Sequence, residues 1–195
     1  MWDERYSTEE YIYGTDPNDF LAEMAGSLPV GQTLCLADGE GRNGVYLAGL
    51  GHAVTAVDSS SVGLDKARRL AATRGVEIAT VHADLADFSI EPGAWDAVVS
   101  IFCHLPGALR RAVHRRVVEG LKPGGVLLLE AYTPDQLRFG TGGPPDVDRL
   151  MRLADLKTEL DGLTFEVGRE LERDVIEGRF HGGRGAVVQV FARKK

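Results

Sequence analysis

A run of glycines between two apolar stretches is the first feature of this sequence that could do chemistry. In LCLADGEGRNGVYLAGLGHAVTAVDSS, residues 34–60, glycine occupies positions 39, 41 and 44, and Asp58 follows 19 residues after Gly39. Because glycine has no Cβ atom, the main chain can turn sharply and a ligand can approach it closely. A carboxylate at the end of the next strand can accept hydrogen bonds from both ribose hydroxyls. The spacing predicts a nucleoside-binding site.

The residue before the first glycine separates two classes of nucleoside cofactor. A nicotinamide dinucleotide requires the loop to hold a pyrophosphate, whereas S-adenosylmethionine places a carboxylate, an ammonium and a sulfonium in the same space. The carboxylate of Asp38 would repel a pyrophosphate and could pair with either cation. The sequence therefore favours S-adenosylmethionine, with its methionine part held by the loop residues Asp38, Gly39, Glu40, Gly41 and Arg42.

A further acid follows the third apolar run, in the segment VHADLADF. At the end of a strand, Asp84 can accept a hydrogen bond from the exocyclic amine of adenine, while the Leu85 amide can donate to a ring nitrogen. Together with Asp58, these residues predict contacts along the whole adenosine part of the cofactor.

From about residue 33 to residue 132, the chain resembles the class I S-adenosylmethionine-dependent methyltransferases. The matching motifs are LADGEGRN, VTAVDSS, HADLADF, WDAVVSIFCHLP and GLKPGGVLLLEAY. The resemblance implies a Rossmann-like fold, S-adenosylmethionine as cofactor and methyl transfer as the activity. It also implies further cofactor contacts within these motifs, at Ser59, Ala83 and Phe102. The family commonly has an acid and a glycine where this chain has Cys35 and Ala37, and Asp38 is expected to take over the polar role.

The two ends of the chain narrow the resemblance. WDERYSTEEYIYGTDPNDFL and RGAVVQVFARKK look like segments of small bacterial methyltransferases of the tellurite-resistance type. That type is taken to use a His-Arg pair late in the chain, whereas here Glu172 precedes Arg173. The resemblance implies a small-molecule acceptor, with a thiol or a chalcogen oxyanion as candidates.

The acceptor side is predicted near the ends of the fourth and fifth apolar runs. A sulfonium methyl needs no protein nucleophile, and a base is needed only when a hydroxyl or amine acceptor must lose a proton. His104 is the candidate catalytic residue, as a base or an orienting group; alternatively it only binds main chain near Pro106. Candidate substrate contacts are Cys103, Tyr132, Gln136, Arg138 and Arg173. Tyr13 and its aromatic neighbours could cover the cofactor as a lid or simply pack against the sheet edge.

Two other functions stay open. An NAD(P)-dependent reductase would share the glycine loop and the ribose acid, but Asp38 and the lack of a tyrosine followed four residues later by lysine argue against it. A non-catalytic S-adenosylmethionine-binding module is hardly separable from an enzyme by sequence.

The elements that must position these residues follow from the apolar pattern. Strand-length apolar runs at 33–37, 53–57, 76–81, 96–102 and 125–131 are nearly continuous, as in a parallel sheet covered on both faces. Helical patterns separate them, with a cap at Ser60 or Ser61 and a stop at Gly75 in one case. The last two strand-like segments have no helix between them. We expect an α/β fold: a Rossmann-like, seven-stranded, mostly parallel sheet with helices on both faces and an antiparallel C-terminal strand pair.

Composition sets the broader limits. With 195 residues, a single methyltransferase domain is expected, comprising an N-terminal lid and helix (1–30), a cofactor-binding core (31–132), an acceptor-side loop and helix (133–160) and a C-terminal strand pair (161–195). The net charge of −7 argues against nucleic acid and membrane surfaces. The two cysteines lie in apolar runs, which indicates a reducing cytoplasm, and no metal site is expected. The oligomeric state stays open.

Overall fold

One mixed sheet organises the computed structural model, which describes residues 2–178 and 181–195. Within these residues it has seven strands, in the spatial order β3-β2-β1-β4-β5-β7-β6. The strands are β1 (Gln32–Leu36), β2 (Ala53–Asp58), β3 (Ala79–His82), β4 (Trp95–Ile101), β5 (Leu121–Tyr132), β6 (Leu163–Glu177) and β7 (His181–Lys194). Strands β1 to β5 run parallel to one another, whereas β7 runs antiparallel to both β5 and β6. The predicted fold class is confirmed.

Helices cover both faces of this sheet. They are α1 (Trp2–Tyr6), α2 (Asp19–Met24), α3 (Arg42–Gly49), α4 (Ser61–Arg74), α5 (Gly107–Gly120) and α6 (Leu153–Glu159), with 3₁₀ turns at Ala25–Ser27, Pro134–Arg138 and Val147–Arg149. On one face, α2 and α3 bury Phe20 and Leu47 against the sheet. On the other, α5 and α6 bury Val117 and Leu156. Because the parallel strands are enclosed in this way, their sequences are almost continuously apolar.

The ends of α4 show how local sequence sets an element. The hydroxyl of Ser60 accepts a hydrogen bond from the Gly63 amide at 3.0 Å, and Gly75 ends the helix with a φ of 68°. The Val76 amide then donates to the Ala71 carbonyl at 3.0 Å. The predicted strand over 76–81 is therefore wrong at its start, because residue 76 is used to end the helix and the strand begins at Ala79.

Two strands end one residue earlier than predicted, and both turn sharply at the same edge of the sheet. Ala37 follows β1 with a φ of 50°, and Phe102 follows β4 with a φ of 51°. Residues other than glycine seldom adopt this left-handed backbone conformation, and those that do cluster at functional sites. The carboxyl ends of β1 and β4 are therefore candidate walls of a site.

A buried ion-pair network attaches α6 to α5. The Arg110 guanidinium lies 2.9 Å from a Glu159 carboxylate oxygen, and His114 Nδ1 lies 2.7 Å from the other oxygen. Arg110 also donates to the carbonyl of Asp148 at 2.8 Å. One arginine thereby fixes both α6 and the turn before it, which together form the segment predicted to border the acceptor.

The network predicts a specific dependence of stability on pH. Burial alone would raise the pKa of Glu159, but hydrogen bonds from His114 and Arg110 outweigh burial and lower it to about 2, against 4.5 for a free glutamate. A carboxyl whose folded-state pKa is depressed stabilises the fold above its unfolded pKa, and the contribution is lost as pH falls through the folded value. We expect Glu159→Gln to lower the free energy of unfolding by about 3 kcal/mol at neutral pH.

Urea denaturation between about pH 2 and about pH 7 checks this, because the gap between wild type and Glu159→Gln should narrow as the acid is protonated. Asp161→Asn is the control, since Asp161 is exposed just beyond α6. A gap between wild type and Glu159→Gln that stays constant across the range would contradict the assignment.

Candidate cofactor and acceptor site

The glycine loop joins β1 to α3 and has a backbone that only glycine tolerates. Gly39 and Gly41 have φ values of 56° and 85°, and Gly41 is the N-cap of α3. A Cβ atom at Gly41 would lie 2.5 Å from the Cβ of Ala67 on α4. Both the left-handed backbone and the close approach of α4 therefore require glycine at this position.

Asp58 ends β2 directly beside this loop. Its two carboxylate oxygens accept hydrogen bonds from the Gly39 and Ser60 amides, each at 2.8 Å. The hydrogen bonds from these amides lower the pKa of Asp58, but burial outweighs them and raises it above its usual value. Each oxygen keeps an acceptor site, because a carboxylate can accept about four hydrogen bonds. The acid is thus oriented by the main chain, as a contact to ribose hydroxyls requires.

Asp38 lies on the other side of the same loop, where both of its carboxylate oxygens accept from the Gly44 amide at 3.3 Å. Burial, followed by the charge of Asp58, raises the pKa of Asp38 to about 7. The two acids therefore concentrate negative charge at the carboxyl ends of β1 and β2. A cationic group placed there would relieve their repulsion.

The predicted adenine contacts lie next to Asp58. The Ala83 amide donates to the Asp58 carbonyl at 3.0 Å, and the Ser59 carbonyl contacts His82 Nε2 at 3.0 Å. Leu85 is buried, whereas Asp84 is exposed and accepts from the Ala86 amide at 2.8 Å. The structure thus brings the ribose and adenine candidates together at one edge, and their contacts with a cofactor stay predictions.

The other two charged residues of the glycine loop, Glu40 and Arg42, form ion pairs with neighbouring segments. Glu40 is 4% exposed, and its carboxylate accepts from the Ile12 amide at 2.8 Å and forms an ion pair with Lys66. The Arg42 guanidinium lies 2.5 Å from Glu177, at the end of β6. Because both side chains hold neighbouring segments, any contact of these two residues with a cofactor would use their main chain.

Residues 2–13 form an N-terminal strap over the glycine loop. The Tyr6 hydroxyl lies against Gly39, where an added Cβ atom would be 2.6 Å away. Trp2 stacks on the Tyr6 ring with centroids 5.7 Å apart, and Tyr13 meets it edge-on at 6.4 Å. The sequence prediction named the aromatic residues of this segment but missed Lys66, which binds its main chain. A lysine within the apolar stripe of α4 was the available signal, because buried lysines need partners.

Three aromatic rings pack together at the ends of β4 and β5, where the acceptor side is predicted. Tyr132 lies 4.6 Å from Phe102 and 5.6 Å from His104, measured between ring centroids. His104 Nδ1 contacts the Arg149 carbonyl at 3.0 Å, and its Nε2 accepts from the Tyr132 amide at 3.4 Å. These contacts match the alternative in which His104 binds main chain, here of residues 149 and 132 rather than near Pro106. Its catalytic role stays a prediction.

The other predicted substrate contacts are dispersed. Cys103 lies in the core beneath the sheet, where burial raises the pKa of its thiol to about 12. Gln136 is buried, donates to Thr141 and accepts from the Ala186 amide at 2.9 Å, so it fixes the 134–142 turn to β7. Arg138 is exposed and lies 3.3 Å from Glu172.

Arg173, the last candidate, is enclosed by carboxylates. Its guanidinium lies 2.6 Å from Glu130, 3.0 Å from Asp19 and 3.5 Å from Glu177. Glu130 is fully buried on β5 and also accepts from Asn18, the N-cap residue of α2, at 2.8 Å. The positive charge of Arg173 is thus used to join α2, β5 and β6.

In residues 2–178 and 181–195, no group of three or more histidine, cysteine or acidic side chains is arranged to hold a metal ion. Within the same ranges, no helix has the length and apolarity needed to cross a membrane.

Comparison with known proteins agrees with this geometry. Residues 34–125 match a family model described as "Methyltransferase domain". The 2-heptyl-1-hydroxyquinolin-4(1H)-one methyltransferase of Mycobacteroides abscessus is 27% identical over 121 residues, which cover 60% of this chain and 51% of that protein. The chain thus spans about half the length of this relative.

Solved structures share the fold along nearly the whole chain. One, described as "Conversion of a Disulfide Bond into a Thioacetal Group during Echinomycin Biosynthesis", has a TM-score of 0.77 at 24% identity and covers 99% of this chain and 88% of its own. TehB from Haemophilus influenzae has a TM-score of 0.76 at 21% identity, and the match covers 100% of this chain and 66% of the TehB chain.

The family match over residues 34–125, the fold and the glycine loop agree with a class I S-adenosylmethionine-dependent methyltransferase domain. This confirms the resemblance seen in the sequence. S-adenosylmethionine is the cofactor of such a domain, and the acidic pair Asp38 and Asp58 fits the positive charges that it carries.

Asp38 predicts that cofactor binding depends on pH. Deprotonation near pH 7 creates a carboxylate that attracts the sulfonium, so affinity for S-adenosylmethionine should rise about fivefold between about pH 6 and about pH 8. S-adenosylhomocysteine lacks the sulfonium charge, so its affinity should rise less. Calorimetric titration of both ligands measures the difference, and Asp38→Asn should abolish it. An equal rise for both ligands would show that Asp38 does not face the sulfonium.

Proposed function

We propose that this protein transfers a methyl group from S-adenosylmethionine to a small-molecule acceptor, and that the acceptor is a thiol or a similarly soft nucleophile. The observation that carries this choice is the pair of main-chain contacts on His104, at 3.0 and 3.4 Å. They hold the imidazole between the 147–150 turn and β5. A thiolate reacts with a sulfonium methyl without a protein base, whereas a hydroxyl or amine acceptor needs one within reach.

Other polar groups near the ends of β4 and β5 support the same choice. Burial raises the pKa of the Tyr132 phenol well above its usual value, and burial likewise raises that of the Cys103 thiol to about 12. Neither group is therefore suited to accept a proton near neutral pH. The chain instead supplies position and enclosure, which an activated methyl donor chiefly requires.

A chalcogen oxyanion is less well supported than a thiol. An anionic acceptor would need positive charge in the cleft, but Arg173 lies within 3.5 Å of each of three carboxylates. Arg138 is paired with Glu172 on the surface. We further propose that segments 1–30, 133–160 and 161–195 enclose the two ligands held by the 31–132 core.

Methylation of an acceptor panel tests the proposal. Thiols, hydrosulfide, selenite, tellurite, phenols and amines are incubated with S-adenosylmethionine, and products are detected by mass spectrometry. We expect thiols to be methylated fastest, at rates that follow each acceptor's own thiolate fraction as pH changes. His104→Gln should lose much less than the roughly hundredfold that removal of a general base costs.

Three outcomes would overturn the proposal. A phenol or amine that reacts fastest and depends strongly on His104 would indicate base catalysis. Firm cofactor binding with no product from the whole panel would indicate a non-catalytic module. Binding of NADH without binding of S-adenosylmethionine would indicate a reductase.

A further inference from the structure

Lys66 is a buried lysine on α4 that is bonded to the N-terminal strap. It is 5% exposed, and its ammonium donates to the carbonyls of Glu10 at 2.6 Å, Thr8 at 3.0 Å and Tyr6 at 3.4 Å. A buried ammonium is costly unless it is paired and fully hydrogen-bonded. Three carbonyls of the strap, at alternate residues from 6 to 10, therefore converge on one side chain of α4.

The negative partner of Lys66 belongs to the glycine loop. The ammonium forms an ion pair with Glu40, whose carboxylate also accepts from the strap amide of Ile12 at 2.8 Å. Tyr11 adds its ring face at 5.0 Å from the ammonium and donates its hydroxyl to the Lys66 carbonyl at 3.0 Å. Lys66 and Glu40 thus bind the strap from two sides and bind each other.

This arrangement determines where Tyr6 lies. The Tyr6 ring packs between Gly39 of the glycine loop and Gly63 of α4, and an added Cβ atom at Gly63 would be 3.0 Å from it. A second attachment stands at the start of the strap, where Asp3 accepts from the Ser60 hydroxyl at 2.5 Å. The strap is therefore held by polar bonds directly above the loop that receives the cofactor.

We propose that Lys66 is a positioning residue for methyl transfer: by joining Glu40 to the strap, it keeps the strap closed over the glycine loop and thereby retains the cofactor. This inference rests on the proposed function only in that S-adenosylmethionine is the ligand retained. When the closed population of the strap falls, the apparent affinity for the cofactor falls by the same factor.

The test pairs cofactor affinity with a direct measure of strap opening. Arg5 is the single lysine or arginine before Arg42, so trypsin cleavage after residue 5 reports an open strap. Cleavage by a protease follows the open population when opening is fast. In Lys66→Met we expect about tenfold faster cleavage at Arg5 and about tenfold weaker binding of S-adenosylmethionine by calorimetry, with no acceptor present.

Two further variants make the result decisive. Lys66→Met alone leaves the buried Glu40 carboxylate unpaired, and Glu40→Gln in the double variant removes that charge. The double variant should therefore regain the wild-type melting temperature without regaining the affinity for S-adenosylmethionine. This result would separate opening of the strap from general unfolding. Lys122→Met is the control, because Lys122 pairs with Asp96 at 2.7 Å near the amino ends of β5 and β4, away from the strap. This control should be cleaved at Arg5, and should bind S-adenosylmethionine, as the wild-type protein does.

The outcomes separate this inference from the proposed function. Unchanged affinity for S-adenosylmethionine in both Lys66 variants, or unchanged cleavage at Arg5, would overturn the positioning role. Binding of S-adenosylmethionine by the wild-type protein would still support it as the cofactor. Absence of S-adenosylmethionine binding by the wild-type protein would instead overturn the proposed function.

Discussion

The glycine loop after β1 is the constraint on which the rest of the site depends. Its main chain adopts left-handed turns at Gly39 and Gly41, and the Gly39 amide donates to Asp58, the residue predicted to contact ribose. Two of its charged side chains contact neighbouring segments, since Glu40 binds the strap and Arg42 binds the end of β6. The same short segment thus offers main-chain amides to Asp58 and binds the N-terminal strap through Glu40.

Negative charge in the cleft has an energetic consequence for the protein without its cofactor. Because burial raises the pKa of Asp38 to about 7, the folded state binds a proton more tightly than the unfolded chain does. Stability from this group is fully present below the usual carboxyl pKa and is lost as pH rises through 7. A bound cation would offset that loss, so binding of a cationic ligand beside Asp38 would also raise the free energy of unfolding.

Local sequence predicted those parts of the molecule that local rules determine. The spacing of Gly39, Gly41 and Asp58 defined the loop and its acid, and Ser60 and Gly75 marked the ends of α4, because backbone geometry and capping act over a few residues. The roles of Glu40 and Arg42 were not predictable in this way. Their partners Lys66 and Glu177 lie 26 and 135 residues further along the chain, and no short-range pattern relates them. Tertiary contacts alone determine the ion pairs of these two side chains.

The antiparallel course of β7 has a practical consequence for work with this protein. The strand pairs Tyr132 with Val187 at the cleft edge and Val126 with Arg193 at the far edge, so it carries the chain away from the site. Lys194 accordingly binds the carbonyl of Leu121 at the amino end of β5. A purification tag or fluorescent fusion added after residue 195 would extend from the amino end of β5, opposite the edge where β1 and β4 end in left-handed turns.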